Sequence, residues 1–287
     1  MKFLLIGGDG FLGKGFINCL NSDDEYAVFD KDKDLFSLSQ GILAEINPNL
    51  IINLSVIADF KDKGVDPESD YYRVNVDGLS HLLNLAKFNS IPLIQISTRE
   101  VIGLRNWNLT SSASTGGAID IPKVSESEPC FPLHSYGKTK LIAEYIAQSF
   151  SLATVIRLNT CYTDDLKSNK GLIANLYNKV MSQGSIELTN KGTAVRDPMH
   201  VKDLVSIVKS VMEKGAFGEI FHAGGGGENV VSLREICLTF NEDVEIKNVE
   251  KEGIDLGFLM DVTKAYKDLD WSPSVNFKTW ASTLSIK

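Results

Sequence analysis

KFLLIGGDGFLGKG, running from Lys2 to Gly15, places a short apolar run directly before a glycine-rich turn. Phe3 to Ile6 has the continuous apolar character of a strand buried on both faces of a parallel sheet. Gly7, Gly8, Gly10 and Gly13 follow, and Lys14 to Leu20 reads as a helix. Strand, glycine turn and helix make a phosphate-binding device. Glycines let the backbone turn tightly and approach a pyrophosphate, and free N–H groups at the helix start face the anion. The spacing fits both Gly8-x-Gly10-x-x-Gly13 and Gly7-x-x-Gly10-x-x-Gly13. Such a pattern alone also fits an ordinary strand-to-helix turn. Asp30 tips the balance, because it closes a second strand, Tyr26 to Phe29. An acid about 20 residues on, at that strand end, is placed to hold a ribose hydroxyl. The stretch reads as a dinucleotide site.

The rest of the 287 residues suits one large domain or a domain with a smaller lobe. Hydrophobic content of 43% and charged content of 23% belong to an ordinary soluble globular chain. A net charge of −8 argues against a nucleic-acid surface. Cys19, Cys130, Cys161 and Cys237 are scattered without a CxxC pair. That is neither a metal cluster nor a disulfide framework, so no metal site and a cytoplasmic location are expected. No apolar run approaches membrane-spanning length, and the N-terminal one is too short for a signal peptide's core.

Further strands and helices alternate along the chain. After Asp30 too few residues remain for a crossover helix before Asp34, so a third strand there is vestigial or paired without one. Ile42 to Ile46 reads as a short helix, Ile51 to Val56 as a buried strand, and Tyr71 to Phe88 as a long amphipathic helix. Leu93 to Ile96 is a strand ending at Ser97-Thr98. Gly103 to Pro132, rich in Ser, Thr, Gly, Asn and Pro, reads as a long surface excursion. The helix Ser135 to Phe150 and the strand Ala153 to Leu158 follow. This half predicts a doubly wound α/β sheet of the Rossmann type. From Asn159 the rhythm changes to helices at Gly171 to Met181, up to Met212, and at Ser232 to Phe240, with Ser232 and Glu235 at capping-box spacing. Short strands fall at Ser185 to Leu188 and Glu219 to Ala223, and Asp261 is expected to cap a last helix, Val262 to Leu269. The expected division is a dinucleotide-binding domain over 1–159, rejoined by 196–223. A smaller substrate-binding lobe over 160–195 and 224–287 would cover the carboxyl ends of the sheet.

Tyr136 and Lys140 lie four apart on a helix, one turn apart on one face. A tyrosine is a poor base at neutral pH, and an adjacent ammonium is expected to lower its pKa. Thr98, at the end of a neighbouring strand, supplies a hydroxyl that can orient a reacting oxygen. YxxxK alone equally describes an amphipathic helix with a solvated lysine.

Taken together, the residues resemble the extended short-chain dehydrogenase/reductases, the nucleotide-sugar epimerase/dehydratase family. The matching pieces stand in that family's order: GGDGFLG at 7–13, VFD at 28–30, IINLS at 51–55 and YYRVNVDGLSHLL at 71–83. ISTREVIG at 96–103, YGKTK at 136–140, RLNT at 157–160 and RDPMHVKDL at 196–204 follow. FHAGGG at 221–226 and MDVTKAYKDLDWSP at 260–273 complete the set. The resemblance implies a nicotinamide dinucleotide on Gly7, Gly10, Phe11, Leu12, Gly13 and Asp30, with Asp34 and Leu35 near adenine. It also puts Leu54, Ser55 and Val56 beside the cofactor. Thr98, Tyr136 and Lys140 become a catalytic trio, with Tyr136 taking a sugar hydroxyl proton and Lys140 also gripping the nicotinamide ribose. Arg196 resembles the arginine that clamps the substrate's pyrophosphate, or else pairs with Asp197. Asp30 would repel a 2′-phosphate, while Lys31 and Lys33 would attract one. The acid stands at the strand end, so NAD is expected over NADP.

Three positions depart from the family. Thr98 is followed by Arg99 and Glu100 where dehydratases carry Asp and Glu, and an arginine cannot donate a proton at pH 7, which argues against dehydration. Thr160 stands where the family has a diphosphate-binding Asn, with Asn159 one place early, and Ile102 replaces a tyrosine. Glu100 is either a second acid/base or a partner for Arg99. The expected function is an NAD-dependent nucleotide-sugar epimerase. A keto-sugar reductase using NAD(P)H and a non-catalytic cofactor-binding scaffold are the alternatives. A homodimer through helices 71–88 and 135–150 is expected, with Leu141, Tyr145 and Ile146 on its face, unless the excursion 103–132 covers them.

Overall fold

The structure, a computed structural model, describes residues 1–30, 34–62, 64–104, 121–168, 170–250 and 256–284. It begins with β1 (Lys2–Ile6), α1 (Phe11–Asn18), β2 (Glu25–Phe29), α2 (Gln40–Ile46) and β3 (Leu50–Asn53). Next, α3 (Asp70–Tyr72) runs through a π-helical turn, Arg73–Asp77, into α4 (Gly78–Asn89). β4 (Leu93–Thr98), β5 (Lys123–Val124), α5 (Ser135–Ala147) and β6 (Ala153–Leu158) complete the first half. The second half contains β7 (Cys161–Tyr162), α6 (Leu172–Gln183), β8 (Ser185–Thr189), β9 (Val195–Arg196), β10 (Met199–His200) and α7 (Val201–Lys214). It ends with β11 (Ile220–Ala223), β12 (Val231–Ser232), α8 (Leu233–Phe240), β13 (Glu245–Val249), β14 (Leu259–Met260), α9 (Thr263–Leu269) and α10 (Phe277–Ser282).

Six strands form a parallel sheet in the order β11-β6-β4-β3-β1-β2. The doubly wound fold expected from the sequence is therefore present. Alternation along β1 builds both faces. Phe3 and Leu5 join a core with Phe16 of α1 and Leu204, Ile207 and Val208 of α7. Leu4 and Ile6 join another with Leu43 of α2, Leu79 and Leu82 of α4 and Ala143 of α5. Successive strand side chains point to opposite faces, so a strand covered on both sides is apolar over most of its length. Each such buried side chain contributes about 1.5–3 kcal/mol relative to exposure. A third cluster gathers Tyr162, Ile173 and Val180 with Ile236, Phe240, Phe277 and Trp280, around β13 paired with β8. Among the described residues no helix is long and apolar enough to cross a membrane.

The turn after β1 differs from its reading in one respect. α1 begins at Phe11, three residues before Lys14, because Gly10 already serves as its N-cap. Between β2 and β3 the described residues hold a 3-10 turn, Leu35–Ser37, and α2, with no strand. β2 is thus an edge strand, and the reversal of strand order falls between β1 and β3. The excursion is partly integrated: β5 pairs in parallel with β14, a long-range pairing that two-residue strands do not announce locally. The rest of it, 105–120, and Lys31 to Lys33 lie outside the described residues. β13 and α10 went unread as well. Asp261 accepts the Thr263 N–H at 3.0 Å, although Val262 holds the cap position of α9. The capping box of Ser232 and Glu235 is formed.

Backbone contact makes glycine necessary in the first turn. Gly7 has φ +81°, and a Cβ on Gly13 would stand 2.4 Å from the Gly8 carbonyl oxygen and 2.5 Å from Gly8 Cα. Neither is a yielding side-chain end. Gly13→Ala should therefore cost about 1–3 kcal/mol through overpacking and lower the melting temperature. An unchanged thermal melt would show that the turn relaxes freely.

Candidate functional site

A cleft of about 400 Å³ opens at the carboxyl end of the sheet, beside the crossover between β1 and β3. Open parallel sheets place their ligand sites there. Phe11 and Leu12 of α1, Leu54 and Val56 after β3, and Thr98 at the end of β4 line it. Tyr136 and Lys140 of α5 form another wall, and Asn159, Thr160 and Arg196 close the far side. The separated pieces Thr98, Tyr136 and Lys140 thus meet in one cavity. So do the proposed substrate contacts Glu100, Asn159 and Arg196.

α5 reaches this wall because its third residue is a glycine. A Cβ on Gly137 would stand 2.5 Å from the Glu100 carbonyl oxygen, so the helix start packs directly on the chain after β4. The Ile57–Asp62 segment ties the same helix start. Tyr136 N–H donates to the Asp59 carbonyl at 3.2 Å, and Ser135 N–H donates to that of Asp62 at 2.9 Å. Asn75, in the π-helical turn, accepts from Ile57 N–H, donates to the Ile57 carbonyl and donates to Thr139 Oγ1. That one buried amide joins three segments around the cleft. Phe60 stands edge-on to the Tyr136 ring at 5.1 Å between centroids.

Electrostatics inside the cleft differ from the sequence expectation. Burial pushes the Tyr136 phenol up to about 12, against a hydrogen bond with Thr98 that favours the phenolate, while the charge of Glu100 adds to the rise. Burial pulls Lys140 down to about 8, opposed by Glu144. The lowering of Tyr136 by its lysine neighbour is thus not found here: burial dominates, and the opposing effect comes from Thr98. Thr98, itself buried, accepts the Glu100 N–H on the same Oγ1.

Around the glycine turn, Asp30 accepts the Asp9 N–H at 2.7 Å, which binds the end of β2 to the loop. Gly7 N–H donates to the Phe29 carbonyl at 3.0 Å, and Leu54 N–H to that of Ile6 at 2.9 Å. α1 has no side-chain cap, so its N-terminal N–H groups suit an anion. These features fit a dinucleotide: a helix start without a capping side chain, glycines pressed against the backbone, and an acid at the neighbouring strand end. Ser55 Oγ donates to Asn53 Oδ1. Asp34 pairs with Arg73 at 3.1 Å, and Leu35 packs towards Gly78. Asp34 and Leu35 lie outside the lining of the cleft, as do Ser55, Asp30 and the glycines Gly7, Gly10 and Gly13.

Arg99 and Asp197 were not read as a unit. Arg99 is buried with its guanidinium 4.3 Å from the Phe258 ring centroid. Asp197 is fully buried, accepts Asn159 Nδ2 on Oδ1, and has no hydrogen-bond partner for Oδ2 among the described residues. Burial pushes its carboxyl up to about 8, opposed by Arg99. Arg196 Nη1 donates to the Val195 carbonyl at 2.7 Å. Sequence reasoning also missed Glu144, Ser97 and Asn75. For Glu144 a signal exists: an acid one turn after Lys140, in a helix packed on a central sheet.

Comparison with known proteins gives the same picture. A family model described as the NAD dependent epimerase/dehydratase family matches residues 3–224. A dTDP-glucose 4,6-dehydratase of Haemophilus influenzae is 22% identical, with 97% of this chain and 95% of that protein aligned. The solved dTDP-glucose 4,6-dehydratase of Bacillus anthracis, in complex with NAD, superposes with a TM-score of 0.79 at 23% identity, covering 98% of this chain and 94% of that one. UDP-glucuronic acid 4-epimerase of Bacillus cereus, solved with UDP-glucuronic acid and NAD, gives 0.79 at 19% identity, covering 98% and 97%.

The buried carboxyl of Asp197 has a measurable consequence. Folded, it keeps its proton up to about 8, whereas unfolded it loses it near 3.8. Between those values the folded state holds the extra proton, so this group lowers stability as pH rises. Asp197→Asn should flatten the change in urea midpoint between about pH 5 and about pH 8. An equal change in wild type and variant would show that Asp197 does not titrate in that window.

Proposed function

Because the chain belongs to the NAD dependent epimerase/dehydratase family, we propose that it is an NAD-dependent nucleotide-sugar epimerase acting through a transient keto sugar. The observation that carries this reading is the meeting of Thr98, Tyr136 and Lys140 in one cleft beside the glycine turn. Gly7, Gly10, Phe11, Leu12 and Gly13 would hold the pyrophosphate, and Asp30 the adenosine ribose. Asp34 and Leu35 would stand towards adenine, with Leu54, Ser55 and Val56 along the cofactor. An acid at the end of β2 favours NAD over NADP. When bound, the nicotinamide supplies a reversible two-electron acceptor.

The chain's own residues do the remaining work. Tyr136 Oη takes the proton of a sugar hydroxyl, with Thr98 orienting that oxygen, and later returns it. Burial holds the phenol protonated, so it becomes a base only when positive charge is brought beside it; Lys140, one turn away, carries such a charge below about pH 8. Arg196 and Asn159 would hold the diphosphate, the former through a guanidinium fork suited to that anion. Arg99 supports epimerisation over dehydration. It occupies a proton donor's place with a cation that keeps its proton, stacked on Phe258. Residues 160–195 and 224–287, with their separate apolar cluster, would form the substrate lobe over a nucleotide domain of 1–159 and 196–223. The chain would work in the cytoplasm.

Adding NAD and pooled UDP- and dTDP-sugars should interconvert epimers with no net rise in the reduced-nicotinamide absorbance. Tyr136→Phe should leave the melt and NAD binding intact while turnover falls roughly 10²–10⁴-fold. Consumption of added NADH would establish a reductase instead, and retained activity in the variant would remove Tyr136 from the chemistry.

The homodimer is proposed through α4 and α5. Phe88 and Tyr145 on these adjacent helices are 71% and 66% exposed, an apolar area that commonly marks an interface. Leu141 and Ile146 contribute less than expected, since both pack partly against this chain's own cores. A second copy related by a two-fold axis would complete a four-helix bundle. Light scattering should give about twice 31.5 kDa, and Tyr145→Glu should return it to the single-chain mass by stranding a charge in the interface. A single-chain mass for the wild type would dismiss the dimer.

A further inference from the structure

Behind the catalytic wall lies a carboxylate that the reaction as described does not use. Glu144 is buried one turn after Lys140 on α5. Arg157 of β6 grips it with two nitrogens: Nε donates to its two oxygens at 3.0 and 3.1 Å, and Nη2 donates at 2.7 Å. Ser97, the residue before Thr98 on β4, donates its hydroxyl to the same carboxylate at 2.5 Å. The arrangement continues to the far edge of the sheet, where Arg157 Nη1 stands 3.3 Å from His222 Nε2 and His222 Nδ1 stands 3.0 Å from the Val124 carbonyl. A bare pair of buried charges adds little to stability once desolvation is counted. Its placement therefore calls for a reason, and the placement links the two elements that carry the trio.

We propose that Glu144 is a positioning residue of this site, clamping the helix of Tyr136 and Lys140 to the strand of Thr98 and standing as the counter-charge to Lys140. This rests on the reading of Lys140 as a member of the site. The ammonium lies in a wall from which water is largely excluded, where an isolated charge is costly and a fixed opposite charge one turn away offsets that cost. Arg157 and Ser97 hold the carboxylate in place without being adjacent in sequence to the lysine. The elements packed on α5 bring other charged and titratable groups near. β4 and the turn after it bring Arg99 and Glu100, and β6 brings Arg157. α3 and the π-helical turn bring Asp70, Tyr71, Tyr72, Arg73 and Asp77, and α4 brings His81 and Lys87. Glu144 stands one turn from Lys140 on the same helix, and its charge favours the ammonium in opposition to burial.

The test titrates Lys140 directly in the cofactor-free protein, by the ¹³Cε resonance of labelled lysine, assigned by its disappearance in Lys140→Arg. Glu144→Gln should reduce the proton affinity of Lys140 by roughly ten- to a thousandfold, and Glu144→Asp should restore most of it. Glu144→Gln leaves Arg157 buried without its partner and risks unfolding. The double change Glu144→Gln with Arg157→Met replaces the pair by neutral groups of similar size, which interiors tolerate, and should show a fall in the same direction but smaller, because the positive charge of Arg157 leaves with the negative one. An unmoved Lys140 midpoint in either folded variant overturns the proposal. No turnover enters the measurement, so failure of the epimerase reading would leave this result standing, and the reverse also holds.

Discussion

A parallel sheet covered on both faces has no polar side to offer. Its strands here are buried from end to end at β1, β3, β4 and β6 apart from the first residue of β1, so chemistry can be carried only where the strands stop. Much of the cleft obeys that constraint. The glycine turn, Leu54, Thr98 and Asn159 all follow directly on strands or close them. The helices supply what faces those ends: the starts of α1 and α6 and one side of α5. The dependence runs one way: hydrophobic closure of two faces fixes the rim, and the rim becomes the site.

Within that rim the structure separates two functions of a buried charge. Tyr136 is held as a phenol by burial, and Lys140 is pulled down to about 8 by the same cause, so that it keeps its charge at neutral pH. Burial acts the same way on Asp197, whose carboxyl it pushes up to about 8.

Legibility followed the range of the forces involved. Strands with continuous apolar runs, such as Phe3 to Ile6, and long helices with a repeating face could be read because each is specified by its own residues. The glycine turn and the Tyr136–Lys140 spacing were equally local. What escaped reading depends on partners far along the chain. Lys123–Val124 becomes a strand only against Leu259–Met260, and Glu245–Val249 only against Ser185–Thr189. The helix beginning at Asp70 read as one uniform stripe, but the π-helical turn shifts its phase, so Tyr71 is buried and Tyr72 is only partly so. Asn75 and Glu144 look polar and therefore exposed in a string of letters. Their burial is intelligible only beside Thr139, Arg157 and Ser97.

The strand order sets a timetable for synthesis. β6 pairs on one side with β4, which precedes it, but on the other with β11, which lies beyond β7–β10 and α7. A chain emerging from a ribosome therefore displays the open edge of β6, with the side chain of Arg157 already on it, until Ile220–Ala223 arrives. Unpaired edges of apolar strands are templates for unwanted pairing. The middle of translation is the interval of greatest exposure to misassembly, and the strand that ends it is among the shortest in the sheet.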